Sequence, residues 1–93
     1  MMRELHSTVK FRKDLKLIKK RNIDIEPLLT VVRMLLKDEK LPEKYRDHGL
    51  SGEYIGIREC HIRPDWLLLY ELSGDKLVLI LNRTGSHSDI FCI

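Results

Sequence analysis

His48, His61, Asp65, Arg83 and His87 fall within forty residues of the second half of the chain, at predicted strand ends and loops rather than inside helices. Imidazoles give and take protons near neutral pH, and a guanidinium is suited to bracing a phosphate. The set points to phosphodiester cleavage without a metal, with RNA as the natural substrate because its own 2′-OH can serve as nucleophile. That transesterification needs a base for the 2′-OH proton, an acid for the departing 5′-oxygen and fixed positive charge on the crowded phosphate. Histidines suit the first two tasks. Arg83 suits the third, with Arg58 or Arg63 in reserve, and the product would carry a 2′,3′-cyclic phosphate end.

Each residue also has a plainer reading. His87 lies in Arg83-Thr84-Gly85-Ser86-His87-Ser88-Asp89, a polar segment expected to be a loop, where an imidazole is either catalytic or simply solvated. His61, on a strand, is either catalytic or structural. Asp65, after Pro64, is either a turn residue or the group that orients an imidazole. His6 stands apart from the others as surface or core filler. Trp66 and Phe91 belong by default to the core, yet each lies near enough to the proposed site to stack on a base. Zinc is the main competitor at the level of residue type, since His48, Cys60, His61 and His87 are all ligand types. Against it, Cys60 and His61 are neighbours on a predicted strand and point to opposite faces, and no C-x-x-C or H-x₃₋₅-H pair occurs. The same geometry argues against a Cys–His nucleophile, and there is no glycine-rich phosphate loop. No metal or other cofactor is expected.

The elements that must position these groups form an α+β pattern. Residues 3–6 suit a short strand, and Ser7 or Thr8 can cap the helix that follows, in which Phe11, Leu15 and Ile18 make one apolar stripe. Asn22 ends it. Asp24 is a good N-cap for a second helix, with Pro27 tolerated in its first turn and Leu28, Val31, Val32, Leu35 and Leu36 as its stripe. After Pro42 and a polar stretch, residues 54–62, 66–72 and 77–82 read as strands, the latter two apolar on both faces. The expected order is β-α-α-β-β-β: two N-terminal helices packed on a mainly antiparallel sheet. His61 and Asp65 flank the first strand turn. The chain then runs out roughly 20 Å, at about 3.3 Å per residue, and returns over a similar length. Arg83 and His87 should therefore come back to the end that holds His61 and Asp65. His48 precedes the first of these strands at its far end, and the connecting loop merely permits its return.

Ninety-three residues with 43% apolar content suit a single domain spanning 1–93 with one modest core. The first ten residues lack the apolar core of a signal peptide, no apolar run could cross a bilayer, and two cysteines make no disulfide framework. A cytoplasmic protein without membrane contact is expected. Charge is uneven: residues 10–21 carry seven basic side chains against Asp14, a local +6 in a chain of +3 that leaves −3 elsewhere. Such a block favours a polyanion or an acidic partner, or is a solvated helix face.

The residues also carry a resemblance. Tyr45-Arg46-Asp47-His48-Gly49-Leu50-Ser51-Gly52 is similar to a D-H-x-L-x-G segment. Arg58-Glu59-Cys60-His61-Ile62-Arg63-Pro64-Asp65-Trp66-Leu67-Leu68 is similar to R-E-C-H-I-x-P-D-x-L-L, and Arg83-Thr84-Gly85-Ser86-His87-Ser88-Asp89-Ile90-Phe91 to R-x-G-[ST]-H-S-[DE]-L-F. In order and length these motifs resemble the YafQ-type toxins of the RelE/ParE superfamily of bacterial type II toxin–antitoxin systems. The resemblance implies a RelE-like fold and an mRNA endoribonuclease, or mRNA interferase, that cuts messages in the ribosomal A site and halts translation. It implies as partners mRNA, the ribosome with its 16S rRNA near the A site, and a cognate antitoxin that blocks the toxin. It implies a proton-transfer and phosphate-handling set at His48, His61, Asp65 and His87, with Phe91 shaping the site. The chemistry adds Arg83. As an expectation, His48 is the base and His87 the acid, while His61 contacts the phosphate or hydrogen-bonds to Asp65. This chain departs from the pattern by running past Phe91 into Cys92 and Ile93, beside the site. The alternatives are a non-catalytic toxin of the same fold that poisons DNA gyrase, and a nucleic-acid-binding module working through residues 10–21.

Overall fold

The computed structural model of the chain describes residues 2–91; Cys92 and Ile93, the extension past Phe91, lie outside the described residues. In chain order the elements are β1 (Glu4–Ser7), α1 (Val9–Lys20), α2 (Glu26–Leu36), β2 (His48–Gly49), β3 (Arg58–Arg63), β4 (Trp66–Ser73), β5 (Val78–Gly85) and α3 (His87–Phe91). Single 3₁₀ turns lie at Glu43–Tyr45 and Gly52–Tyr54. The strands form one sheet in the order β1-β5-β4-β3-β2. All pairings are antiparallel except that of β1 with β5. The result is the α+β fold expected, with two additions: the short strand β2 and the terminal helix α3.

The central strand explains the layering. Trp66, Leu67, Leu68, Leu69 and Tyr70 are all buried, and successive strand residues face opposite sides of a sheet, so β4 needs cover on both. On one side Trp66, Leu68 and Tyr70 join Phe11 and Ile18 of α1 and Leu28, Val31, Val32 and Leu35 of α2 in the main core. On the other, Leu67 and Leu69 form a second cluster with Ile90 of α3, backed by Leu50, Ile57 and Phe91. Each fully buried leucine contributes about 1.5–3 kcal/mol through removal from water.

Local chemistry sets the element ends. Thr8 caps α1 by accepting from Phe11 N at 3.0 Å, and its hydroxyl donates to the Asn82 carbonyl of β5 at 2.7 Å. Asp24 accepts from Glu26 N at 3.0 Å, so its bond holds the turn just before α2 rather than the first turn itself. Residues 54–57 do not continue β3 as the sequence pattern suggests. Gly52 and Gly56 take positive φ values of 65° and 91°, which bend the chain so that Leu50 N donates to Ile57 O at 2.8 Å. This fold-back lays β2 alongside β3. At the other end β5 extends three residues beyond its apolar run, to Gly85, with a register shift opposite Leu69 and Tyr70.

Leu68→Ala, at a fully buried position, is expected to cost about 3 kcal/mol in urea unfolding. Leu5→Ala, on the half-exposed edge strand β1, should cost less than about 1 kcal/mol. Equal losses at the two positions would contradict the layering.

Candidate active site: three imidazoles and a buried carboxylate

Strand β3 divides its side chains between the two faces. Cys60 and Ile62 enter the main core under the helices, where burial pushes the Cys60 thiol up to about 12 and leaves it inert. Glu59 and His61 point the other way, opposite Leu69 and Leu67, onto the face covered by α3. The opposed directions expected for Cys60 and His61 are what the strand delivers.

Glu59 is the hub of this face. It is 5% exposed, and a buried carboxylate demands donors or positive charge from its surroundings. The Nε2 atoms of two histidines face it, bringing positive charge when their rings are protonated. His61 Nε2 lies 3.4 Å from Glu59 Oε1 and His48 Nε2 lies 3.5 Å from the same oxygen. His48 reaches this position because β2 pairs it directly with Glu59, so it does not stay at the far end of the strand. Its ring is oriented from behind: Nδ1 is 2.7 Å from the Arg46 carbonyl, which can only accept, so Nδ1 carries the hydrogen and Nε2 faces Glu59.

His87 approaches from α3. The segment expected to be a loop is instead the end of β5 followed by a helix, held by a reciprocal capping box. Ser86 Oγ accepts from Asp89 N at 3.1 Å, and Asp89 Oδ2 accepts from Ser86 N at 3.2 Å. Gly85, with φ at 149°, makes the corner; a Cβ there would lie 3.2 Å from the Asp89 side chain. His87 is thus the first residue of α3, its ring centroid 6.0 Å from that of His61 and 6.1 Å from that of Phe91. Phe91 meets Tyr54 edge-on at 5.3 Å. A continuous row His48, Glu59, His61, His87, Phe91 results.

Other expected members lie elsewhere. Asp65 is exposed in the β3–β4 turn, and among the described residues no hydrogen bond joins it to a histidine; it borders a groove with Gly85 and Ser86, beside the residues leading into His87. The carboxylate against His61 is therefore Glu59. Trp66 belongs to the main core, on the face away from His61, and its indole donates to Thr84 Oγ1 at 2.8 Å; it is no stacking platform. Arg58 also points away from the histidines, because β3 alternation places it beside Tyr70. There Asp47 accepts from its Nη2 at 3.2 Å and from the Tyr70 hydroxyl at 2.6 Å. That carboxylate pushes the Arg58 guanidinium up, while burial first and then the same carboxylate push the Tyr70 phenol up. Arg83 is engaged by Asp14 of α1, donating from Nε at 2.7 Å and from Nη2 at 3.2 Å, and reaches the Asp89 carbonyl at 3.3 Å. It braces the junction of α1, β5 and α3.

Sequence reasoning missed Glu59 and the helical start at His87. The second had a local signal: Ser86-His87-Ser88-Asp89 has the S-x-x-D spacing of a capping box. Glu59 had only its i, i+2 relation to His61, which puts both on one face of a strand.

Residues 3–92 match the family model for the bacterial toxin of type II toxin–antitoxin system, YafQ. The mRNA interferase toxin YafQ of Escherichia coli K12 is 38% identical over 92 residues, covering 98% of both chains. Among solved structures, the toxin chain of the E. coli DinJ–YafQ toxin–antitoxin complex is 35% identical with a TM-score of 0.87, covering 98% of this chain and 99% of that one. A metal-bound toxin from Helicobacter pylori is 41% identical with a TM-score of 0.88, covering 98% of this chain and 100% of that one. In the present chain, among the described residues, no group of three or more His, Cys, Asp or Glu side chains is arranged to hold a metal ion.

The capping box makes a testable point about pH. The Ser86 backbone N–H first, then its hydroxyl, hold the Asp89 carboxyl below the usual carboxylate range; burial opposes them, and Arg21 and Arg83 add to the lowering. A depressed folded pKa stabilises above the unfolded value of about 3.9 and is lost as pH falls through the folded one. Asp89→Asn should therefore cost about 0.5–1 kcal/mol at pH 7, allowing for solvent screening of a part-exposed group. The gap from wild type should close below about pH 4. A gap independent of pH in urea titrations would show that the carboxylate does not hold α3.

Proposed function

The chain belongs to the YafQ family of bacterial type II toxin–antitoxin toxins, and we propose that it is an mRNA endoribonuclease cutting messages in the ribosomal A site, restrained by a cognate antitoxin. The observation that carries this reading is the gathering of His48, His61 and His87 along one face of the sheet, two of them against a single buried carboxylate. In the proposed mechanism His48 takes the 2′-OH proton as general base and His87 gives a proton to the departing 5′-oxygen. His61 carries positive charge to the phosphate, and Phe91, tilted beside His87, offers a face to a base. Glu59 holds His48 and His61 in mutual register, a positioning role. Asp65 acts from the side of Ser86 on the approach to His87. Arg83 acts through the junction that fixes α3, and no metal or cofactor takes part.

The relatives support the partners. The E. coli YafQ is named an mRNA interferase and its complex contains an antitoxin; a cognate antitoxin and mRNA are the counterparts proposed here. The ribosome is proposed from charge. Lys10, Arg12, Lys13, Lys16, Lys19 and Lys20 of α1 are all exposed, while Asp14 turns inward to Arg83. That leaves a basic surface suited to 16S rRNA near the A site. Residues 1–93 act as one toxin domain in the cytoplasm, and among the described residues no helix is long and apolar enough to cross a membrane.

A translating extract programmed with a defined message, read by primer extension, tests this. Cuts in codon register are expected only with ribosomes present and should vanish in His87→Ala. Cuts that persist in the variant, or none in wild type, would reject the assignment; toxicity surviving the change would favour gyrase poisoning. In pH–rate profiles His48→Ala and His87→Ala should each remove a different limb of the bell. Glu59→Gln should lower the rate about tenfold, equivalent to about 1.4 kcal/mol, with the fold intact.

A further inference from the structure

A pocket of about 440 Å³ opens beside His61, lined by Lys44, Tyr45, Arg46, Arg63 and the turn at Pro64, with Pro27 at its rim. Among the described residues no carboxylate pairs with Lys44, Arg46 or Arg63. Elsewhere Arg3 pairs with Asp38, Arg21 with Asp89, Arg33 with Glu26, Arg58 with Asp47 and Arg83 with Asp14, while Arg12 is held by the Ser7 carbonyl and hydroxyl oxygens. Three cations without a carboxylate partner line one concavity, and an anion bound there relieves their mutual repulsion.

The backbone carries the same message. Arg46 closes the 3₁₀ turn with its N–H on the Glu43 carbonyl and adopts φ 49°, ψ 43°, a left-handed conformation disfavoured for a residue with a Cβ. Glycine would take this corner without strain, so arginine contributes only its side chain. The carbonyl of this residue also orients His48, which couples the pocket wall to the imidazole row. Arg63 is placed by a second irregularity, the register shift in β3 between His61 and Arg63. Both departures from regular backbone fall at residues that line this pocket.

We propose that this pocket binds the RNA backbone phosphate one nucleotide from the scissile linkage, so that His61 stands between two phosphate sites. The inference rests on the RNA-cleaving reading for the position of the scissile linkage. The volume lies within the 300–1,000 Å³ common for ligand pockets, ample for a phosphate with its ribose. Arg46 and Arg63 supply the charge-assisted contacts, and Lys44, its ammonium 5.1 Å from the centre of the Tyr45 ring, adds a third cation to the lining. Holding two successive phosphates fixes the strand in line with the imidazoles.

The test uses the full-length protein and a fluorescent 2′-O-methyl hexaribonucleotide, which cannot be cleaved, followed by anisotropy between 50 and 200 mM salt on the scale where phosphate contacts are resolved. Arg46→Gly, which removes strain together with charge, and Arg63→Gln should each weaken binding about fivefold and reduce the salt slope by about 0.7. A single neutral methylphosphonate is then moved along the oligonucleotide. In wild type two adjacent linkages should be sensitive; in Arg63→Gln one of them should become insensitive while the other remains. Variants that bind like wild type, an unchanged pattern of sensitive linkages, or no binding by wild type at the lowest salt would overturn the pocket. A wild type that binds in the expected pattern yet cuts no message would sink the catalytic reading alone. One that cuts messages while the pocket variants change nothing would sink the pocket alone.

Discussion

Burial of β4 on both faces is the constraint from which the architecture follows. Five consecutive residues, from Trp66 to Tyr70, have almost no contact with water, and strand alternation sends them to opposite sides. The helical pair covers one side. The other must be covered by the chain that remains, and α3 does so with Ile90 over Leu67 and Leu69. A five-residue helix would not form in isolation. It exists here because the leucines need a lid and because Ser86 and Asp89 close its first turn. His87 and Phe91 travel with that lid, so the demand for apolar cover brings them against the face of β3 that presents Glu59 and His61.

Asp14 ties this arrangement to α1. Its carboxylate accepts from Arg83 and from the Thr84 backbone N–H at 3.1 Å. The Thr84 hydroxyl in turn accepts from Trp66 and donates to the Leu67 carbonyl at 2.8 Å. A polar network this deep is stable only when its members are satisfied, and this one links α1, β4 and the end of β5 just before the corner at Gly85. The lone acid of a strongly basic helix is therefore an inward-facing anchor. It leaves the lysines outside, and it sets the basic surface and the histidine row in a fixed relation.

The two faces of β3 divide their labour by the same alternation. Cys60 is sealed in the core with its thiol suppressed by burial, whereas its neighbours Glu59 and His61 are turned to the face that α3 covers. Polar residues on this side are concentrated at the edge, where β2 is only two residues long and, among the described residues, the outer edge of β3 beyond Glu59 has no strand beside it. A short edge strand limits pairing with other chains, and here it also leaves room beside His61 for the cationic pocket.

Much of this was legible in the residues. Helical stripes with Phe11 and Ile18, and with Leu28 and Val31, had to face a core because their spacing matches the helix period. The doubly apolar run of β4 had to be central. Return of the chain to the His61 end placed His87 correctly, since two strands of similar length joined by a short turn must end where they began. The tertiary structure alone decided the rest. Whether Arg58, Trp66 and Arg83 were available to a substrate depended on partners distant in sequence, namely Asp47, Thr84 and Asp14. Those contacts involve register and burial, which no local pattern encodes. The position of His48 depended on glycine corners that fold the chain back onto β3. The hub at Glu59 emerged only when two strands and their pairing were superposed, because a shared carboxylate is a property of distances between segments. Residue types and periods specify which chemistry a chain can carry; the packing of one segment on another decides which of those groups meet.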